Sequence, residues 1–160
     1  MADGFLRRFA IVMLIAYAAQ FVMGMLLNLF VKIPVVHPGT SGREYFSRSF
    51  TSLFWALSGA GGTALLIHAL LGSVIFVGAV AFFAASLLRR ARGWRWLSGI
   101  AAFFTFGAFF NGMSFLDYGE NFSSAIMAGC WLISTGTVVV ALIRSPRGAQ
   151  QIEKSSGPAS

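Results

Sequence analysis

Four long apolar runs without Asp, Glu, Lys or Arg constrain the fold of this chain more than any other feature. A helix that crosses the hydrocarbon core of a bilayer needs about 20 predominantly apolar residues, and each run can supply one. The sequence therefore predicts four transmembrane helices. The runs lie between Arg8 and Lys32, between Arg48 and Arg89, between Trp96 and Asp117, and between Glu120 and Arg144.

We place the transmembrane spans at 9–31, 63–88, 97–116 and 122–143. The second run is longer than one span, and a glycine-rich stretch at 58–62 divides it into a short outer segment and the span itself. Only 11% of the residues are charged, against about 25% in soluble domains, which excludes a water-soluble globular protein. The predicted fold class is an all-α membrane protein, with a four-transmembrane-helix bundle over 1–144.

The basic residues are divided unequally between the two sides of the predicted membrane. The side that holds both termini carries nine Lys and Arg residues, and the opposite side carries three. The positive-inside rule therefore places the N and C termini in the cytoplasm, in the plasma or inner membrane. The net charge of +7 reflects this topology and suits anionic membrane lipids rather than nucleic acid. The polar segment 145–160 is expected to be a disordered cytoplasmic tail.

The first outer loop contains a segment, 43–57, with the pattern of an amphipathic helix. We expect this segment to lie along the outer membrane surface with its apolar face toward the lipid. Trp55 would then lie at the level of the lipid headgroups. The apolar residues at helical spacing are Phe46, Phe50, Leu53, Phe54 and Leu57, and the polar residues between them include Arg43, Ser47, Thr51 and Ser52.

Small and polar residues mark the faces of the spans that point into the bundle, because lipid does not drive apolar faces together. Such stripes include Tyr17, Gln20, Gly24 and Asn28 in the first span, and Ser123, Cys130 and Ser134 in the fourth. From a helical rise of about 1.5 Å per residue, Asn28, His68 and Asn111 lie at a similar depth in the outer half of the membrane. We expect an outward-facing polar pocket there that binds a ligand or cofactor. Residues expected at its mouth are His37, Ser114, Asp117, Tyr118 and Glu120.

His68 is the only histidine, acidic or basic side chain within a span, and such a residue is by default a functional-site hypothesis. In one interpretation, neutral His68 hydrogen-bonds Asn28 or Asn111 and only joins helices. In the others it binds a cofactor or metal, or takes part in proton or substrate binding.

The stretch Leu66-Ile67-His68-Ala69-Leu70-Leu71-Gly72 resembles the segment by which membrane b-type cytochromes present an axial histidine. The resemblance implies haem b as the cofactor, with a second axial ligand on a facing helix. Candidates for that ligand are His37, Met113 and Met127. A metal site is a further interpretation, although its candidate ligands have no recognised spacing. These ligands are His37, His68, Asp117 and Glu120.

Three functions are compatible with this sequence. The first is a non-catalytic accessory or structural subunit of a larger membrane complex, with other membrane subunits or a second copy as partners. The second is a haem b- or quinone-binding redox protein centred on His68. The third is an oligomeric small-molecule transporter or channel, which is disfavoured because no acidic residue lies in a span. Serines without a partner base give no hydrolase arrangement, so no catalytic residue is assigned and a non-enzyme is favoured.

Overall fold

The computed structural model describes residues 2–41, 44–119 and 121–145, and over these residues the chain forms five α-helices. Four of them are long and apolar enough to cross a membrane, which confirms the predicted number of membrane-length helices. The predicted tail residues 146–160 lie outside the described part, as do Arg43 and Glu120. The helices are α1 (Ala2–Phe30), α2 (Tyr45–Leu57), α3 (Thr63–Leu88), α4 (Arg92–Tyr118) and α5 (Asn121–Arg144).

The four long helices form a ring in which each packs against two neighbours. Helix α1 contacts α3 and α5, and α4 contacts the same two helices from the opposite side. Arg7 near the start of α1 donates hydrogen bonds to the Leu142 carbonyl (3.2 Å) and to Oγ of Ser145 (2.7 Å) at the end of α5. The first and last described helices therefore begin and end at the same end of the bundle, which we call the terminal end.

The larger apolar core joins all four long helices in the half of the bundle nearest the terminal end. Phe82 of α3 is only 1% exposed and packs edge-on against Trp94 of α4, with ring centroids 5.9 Å apart. Gly78 allows Met13 of α1 to approach α3, because a Cβ at position 78 would lie 2.9 Å from the Met13 sulfur. A smaller cluster of Leu27, Ala56 and Leu65 fills the opposite end.

Large apolar side chains cover the outside of the ring. Each long helix has at least one large apolar side chain that is mostly exposed. Such exposure is unfavourable in water and favourable in lipid. Examples are Ile15 (65% exposed), Val74 (64%), Phe103 (70%) and Leu132 (64%). The exterior therefore has the character of a surface in contact with hydrocarbon.

Helix α2 crosses the end of the bundle opposite the terminal end, where it packs against α4 and α3. The face of α2 that packs against the bundle includes a serine that the sequence placed on the polar side of the segment. Ser52, expected on the polar side, is fully buried, whereas Phe46 and Phe54 are 62% and 68% exposed. Ser52 is buried there because the C-terminal end of α4 presents a carboxylate. A small hydroxyl side chain can approach this carboxylate and donate a hydrogen bond to it, whereas a phenylalanine side chain cannot. The predicted contact of α2 with lipid stays a prediction.

Candidate functional site

His68 of α3 pairs with Gln20 of α1. The side-chain amide nitrogen of Gln20 lies 3.2 Å from Nε2 of His68 and donates to the His68 carbonyl at 3.3 Å. Two glycines make this approach possible. A Cβ at Gly24 would lie 3.3 Å from Cε1 of His68, and a Cβ at Gly72 would lie 3.0 Å from the Gln20 amide nitrogen. Each polar side chain therefore lies over a glycine of the facing helix, which brings the backbones of α1 and α3 close together.

The structure does not bring His68 together with the two asparagines that the sequence placed at its level. Asn28 is exposed on α1. The Asn111 amide donates to the Gly107 carbonyl of its own helix at 2.8 Å, which satisfies one donor without a second helix. Whether any of the three binds a ligand stays a prediction. Sequence analysis did not predict Gln20 as the partner of His68. The signal that could have identified it is its position in the inward-facing stripe of the first span.

The residues around His68 do not fit a haem in this packing. Axial ligation needs a free imidazole nitrogen that faces open space for the porphyrin. Gln20 occupies the Nε2 side of the ring. Nδ1 has no hydrogen-bond partner, but it is buried and faces α1 at Gly24 rather than open space. The proposed second ligand His37 directs both ring nitrogens at carbonyl oxygens. A haem would therefore require α1 and α3 to separate.

The other predicted residues that the structure describes lie at one end of the bundle, around Asp117 in the last turn of α4. Asp117 is only 7% exposed. Its carboxylate accepts hydrogen bonds from Ser49 (2.9 Å) and from Ser52, both on α2. A carboxylate at a helix C-terminus is opposed by the helix dipole, and the two hydroxyl donors offset that cost. We call this arrangement of α2, the loop before it and the end of α4 the outer cap.

His37 is the second anchor of the outer cap. Nε2 lies 2.9 Å from the Leu116 carbonyl of α4, and Nδ1 lies 2.8 Å from the Pro38 carbonyl. The last carbonyls of a helix lack partners within the regular helix, and His37 supplies one to the Leu116 carbonyl. Its ring stacks on Trp55 of α2, with centroids 4.3 Å apart and planes 11° apart.

Gly39 completes the docking of the loop onto α2. Its φ of +110° is a conformation that L side chains rarely adopt, and a Cβ there would lie 2.9 Å from both the Arg48 carbonyl oxygen and the Ser52 backbone nitrogen, with Ser52 Oγ closer still. The sequence His37-Pro38-Gly39 thus supplies a side-chain anchor followed by a residue without a Cβ.

Arg48 and Tyr118 lie at the edge of the cap. The Arg48 guanidinium stacks over the Tyr118 ring, 4.4 Å from its centroid. Tyr118 is 43% exposed and Ser114 is half-buried. Among the described residues, no group of three or more His, Cys, Asp and Glu side chains could hold a metal ion. Glu120, the remaining metal-ligand candidate, lies outside them.

A third polar cluster joins three helices deeper in the bundle. Tyr17 of α1 hydrogen-bonds Thr105 of α4, and Thr105 donates to Ser134 of α5 at 3.3 Å. The Trp131 indole of α5 donates to the Tyr17 carbonyl at 3.0 Å. Sequence analysis placed Tyr17 and Ser134 on inward faces but gave no partner for either. The cluster links helices and leaves its own hydroxyls occupied.

The fold and these clusters define a small multi-pass integral membrane protein. The chain matches no family model, and comparisons with curated proteins and with solved structures give no significant similarity.

Proposed function

We propose that this protein is a non-catalytic accessory subunit that anchors and supports another membrane protein. The observation that carries the proposal is the hydrogen bonding of the intramembrane polar side chains. Polar groups in a bilayer are costly and usually mark a pathway or a reaction centre unless they bond to one another. Here several of them form hydrogen bonds between helices of the same chain, while Nδ1 of His68 and Oε1 of Gln20 are buried without a partner.

The hydrogen bonds connect the ring at several depths. Gln20 and His68 link α1 to α3, and the Tyr17–Thr105–Ser134 cluster links α1, α4 and α5. Oγ of Ser86 and Oγ of Ser98, 2.8 Å apart, link α3 to α4. A bundle joined in this way suits a rigid scaffold better than a transporter, whose helices must rearrange around a substrate.

The surface available to a partner is the apolar exterior. Phe103 and Phe106 of α4 are 70% and 47% exposed, and Phe46 of α2 continues the aromatic surface through its contact with Phe110. Aromatic rings bury large areas at low entropic cost when another helix packs against them. We propose another membrane subunit as the partner of this exterior.

Photocrosslinking in native membranes tests this function. A benzophenone amino acid replaces one exposed residue on each long helix in turn: Ile15, Val74, Phe103 and Leu132. We expect at least one position to give a discrete protein adduct, because a subunit interface holds a neighbouring chain against the probe. The matched control is Phe82, which is 1% exposed and should give none.

Two results would contradict the accessory function. Adducts with lipid alone at all four positions would show that the exterior meets no protein. An adduct at twice the chain mass of 17.2 kDa would show self-association in place of a different subunit.

A further inference from the structure

The geometry at His37 is unusual in its hydrogen-bond partners. Both ring nitrogens point at carbonyl oxygens, one from Pro38 and one from Leu116, and a carbonyl oxygen can only accept. A neutral imidazole carries one N–H, whereas the imidazolium carries two. The observed arrangement is therefore fully satisfied only when His37 is doubly protonated.

The surroundings of the ring also favour a positive charge. Leu116 lies in the last turn of α4, and the C-terminal end of a helix favours cations. The His37 ring lies parallel to Trp55 at 4.3 Å, a geometry in which a cationic ring is attracted by the indole face. His37 is 7% exposed, so water replaces few of these contacts while the cap is closed.

We propose that the outer cap is a proton-controlled latch, in which protonation of His37 holds the loop and α2 onto the end of α4. Loss of one proton removes one of the two donated hydrogen bonds and the charge that the helix end and Trp55 stabilise. The cap then opens more often, which exposes the carboxylate of Asp117 and the buried face of α2 to the outer aqueous phase. The inference rests on the geometry of the cap and is independent of the accessory function.

Other charged and titratable groups on the packed elements have identifiable positions. Asp117 of α4 is directed toward Ser49 and Ser52, Arg48 of α2 lies over Tyr118, and His68 of α3 faces Gln20 at a deeper level. Lys32, Glu44 and Tyr45 are exposed. His37 is thus the histidine whose ring joins the loop, α2 and α4, and the test must separate it from Asp117.

Cysteine labelling measures the opening of the cap. In a Cys130→Ala background, Ala56→Cys places a thiol on the fully buried face of α2, and Thr51→Cys places one on its exposed face. The quantity measured is the labelling rate at position 56 divided by the rate at position 51, with a membrane-impermeant maleimide. This ratio cancels the pH dependence of thiol reactivity. We expect the ratio to rise about tenfold from about pH 5 to about pH 8, the range in which histidine changes charge, because a hydrogen bond from a charged donor is lost.

The control variant is His37→Asn, which should give a high ratio that no longer depends on pH. A ratio in the parent that stays constant across this range would overturn the latch. A pH-dependent ratio that persists in His37→Asn would assign the response to another group, such as Asp117, and would also overturn it.

A second measurement avoids any perturbation of the α2 packing. The chain has two histidines, so ¹⁵N-histidine labelling gives two imidazole patterns, and His37→Asn assigns them. We expect His37 to show two protonated, exchange-protected nitrogens at about pH 5 and one protonated nitrogen at about pH 8. A neutral ring at both values, or an imidazolium at both, would contradict the proposal.

Discussion

Among single residues, Gln20 and His68 join α1 and α3 in the half of the bundle opposite the terminal end. We expect Gln20→Leu and His68→Leu each to lower the free energy of unfolding, because each leaves the other polar side chain buried with one partner fewer. The double replacement should recover part of the loss. The coupling free energy should be about 0.6 kcal/mol, the average for interhelical hydrogen bonds in a membrane protein.

A double-mutant cycle in detergent, with unfolding followed by added denaturing detergent, measures this coupling. The control cycle pairs His68→Leu with Asn28→Leu, because Asn28 is exposed and does not bond to His68. In this control cycle, the effects of the two replacements on the free energy of unfolding should be additive. Coupling in the Asn28 cycle but not in the Gln20 cycle would show that the sequence-based partner, and not the structural one, is correct.

Gly39 is the residue at which the smallest change should have a large effect on the outer cap. Gly39→Ala forces an L side chain into φ +110° and against Ser52 and the Arg48 carbonyl, which should cost about 1–3 kcal/mol in backbone strain alone. In this variant the rate of hydrogen exchange of the α2 amides should increase. Gly129→Ala is the control, since no atom lies within 4 Å of its added Cβ; an equal effect at both positions would refute this role for Gly39.

At the scale of the helices, α2 is held by hydroxyl groups that donate to a buried carboxylate. Ser52→Ala should weaken the docking of α2 by about 1.5–3 kcal/mol, the range for hydrogen bonds to charged groups, because Asp117 loses one of its two serine donors. Mass-spectrometric hydrogen exchange should show loss of protection in α2 and little change in α5.

The matched control for this helix is Ser47→Ala on its exposed side. Protection of α2 should be retained there. Equal exchange in the Ser47 and Ser52 variants, or full protection in Ser52→Ala, would contradict the account of the cap.

The long helices were predictable from sequence because membrane length and apolarity are properties of each segment alone. The predicted span 63–88 coincides with α3 (Thr63–Leu88), and α4 begins five residues before the predicted 97–116. That extension includes Trp94, which is buried against Phe82. A window chosen for the membrane core does not capture a helix end that extends beyond it.

The contacts between helices were less predictable because they depend on axial register. A shift of about two turns, roughly 12 Å along the helix axis, decides whether His68 meets Gln20 or Asn28 on α1. The buried face of α2 depends likewise on Asp117, a residue distant in sequence. Stripes of small and polar residues therefore identified the inward faces, including Tyr17 and Ser134, but not the pairs that form between them.

At the scale of the whole molecule, the residues that the structure describes form a ring of four membrane-length helices with a short helix across one end. The interior is joined by hydrogen bonds, and the exterior is apolar on every long helix. The distribution of Lys and Arg predicts that the terminal end is cytoplasmic and the outer cap faces the opposite compartment. The compartment whose pH would act on the proposed latch depends on this orientation.

Accessibility of single cysteines in intact cells tests this orientation most directly. In a Cys130→Ala background, Ser41→Cys reports on the loop of the outer cap and Arg92→Cys on the turn between α3 and α4; both positions are exposed. A membrane-impermeant maleimide should label position 41 in intact cells and position 92 only after permeabilisation. Reversed labelling, or labelling of both positions from the same side, would contradict the four-span arrangement with cytoplasmic termini.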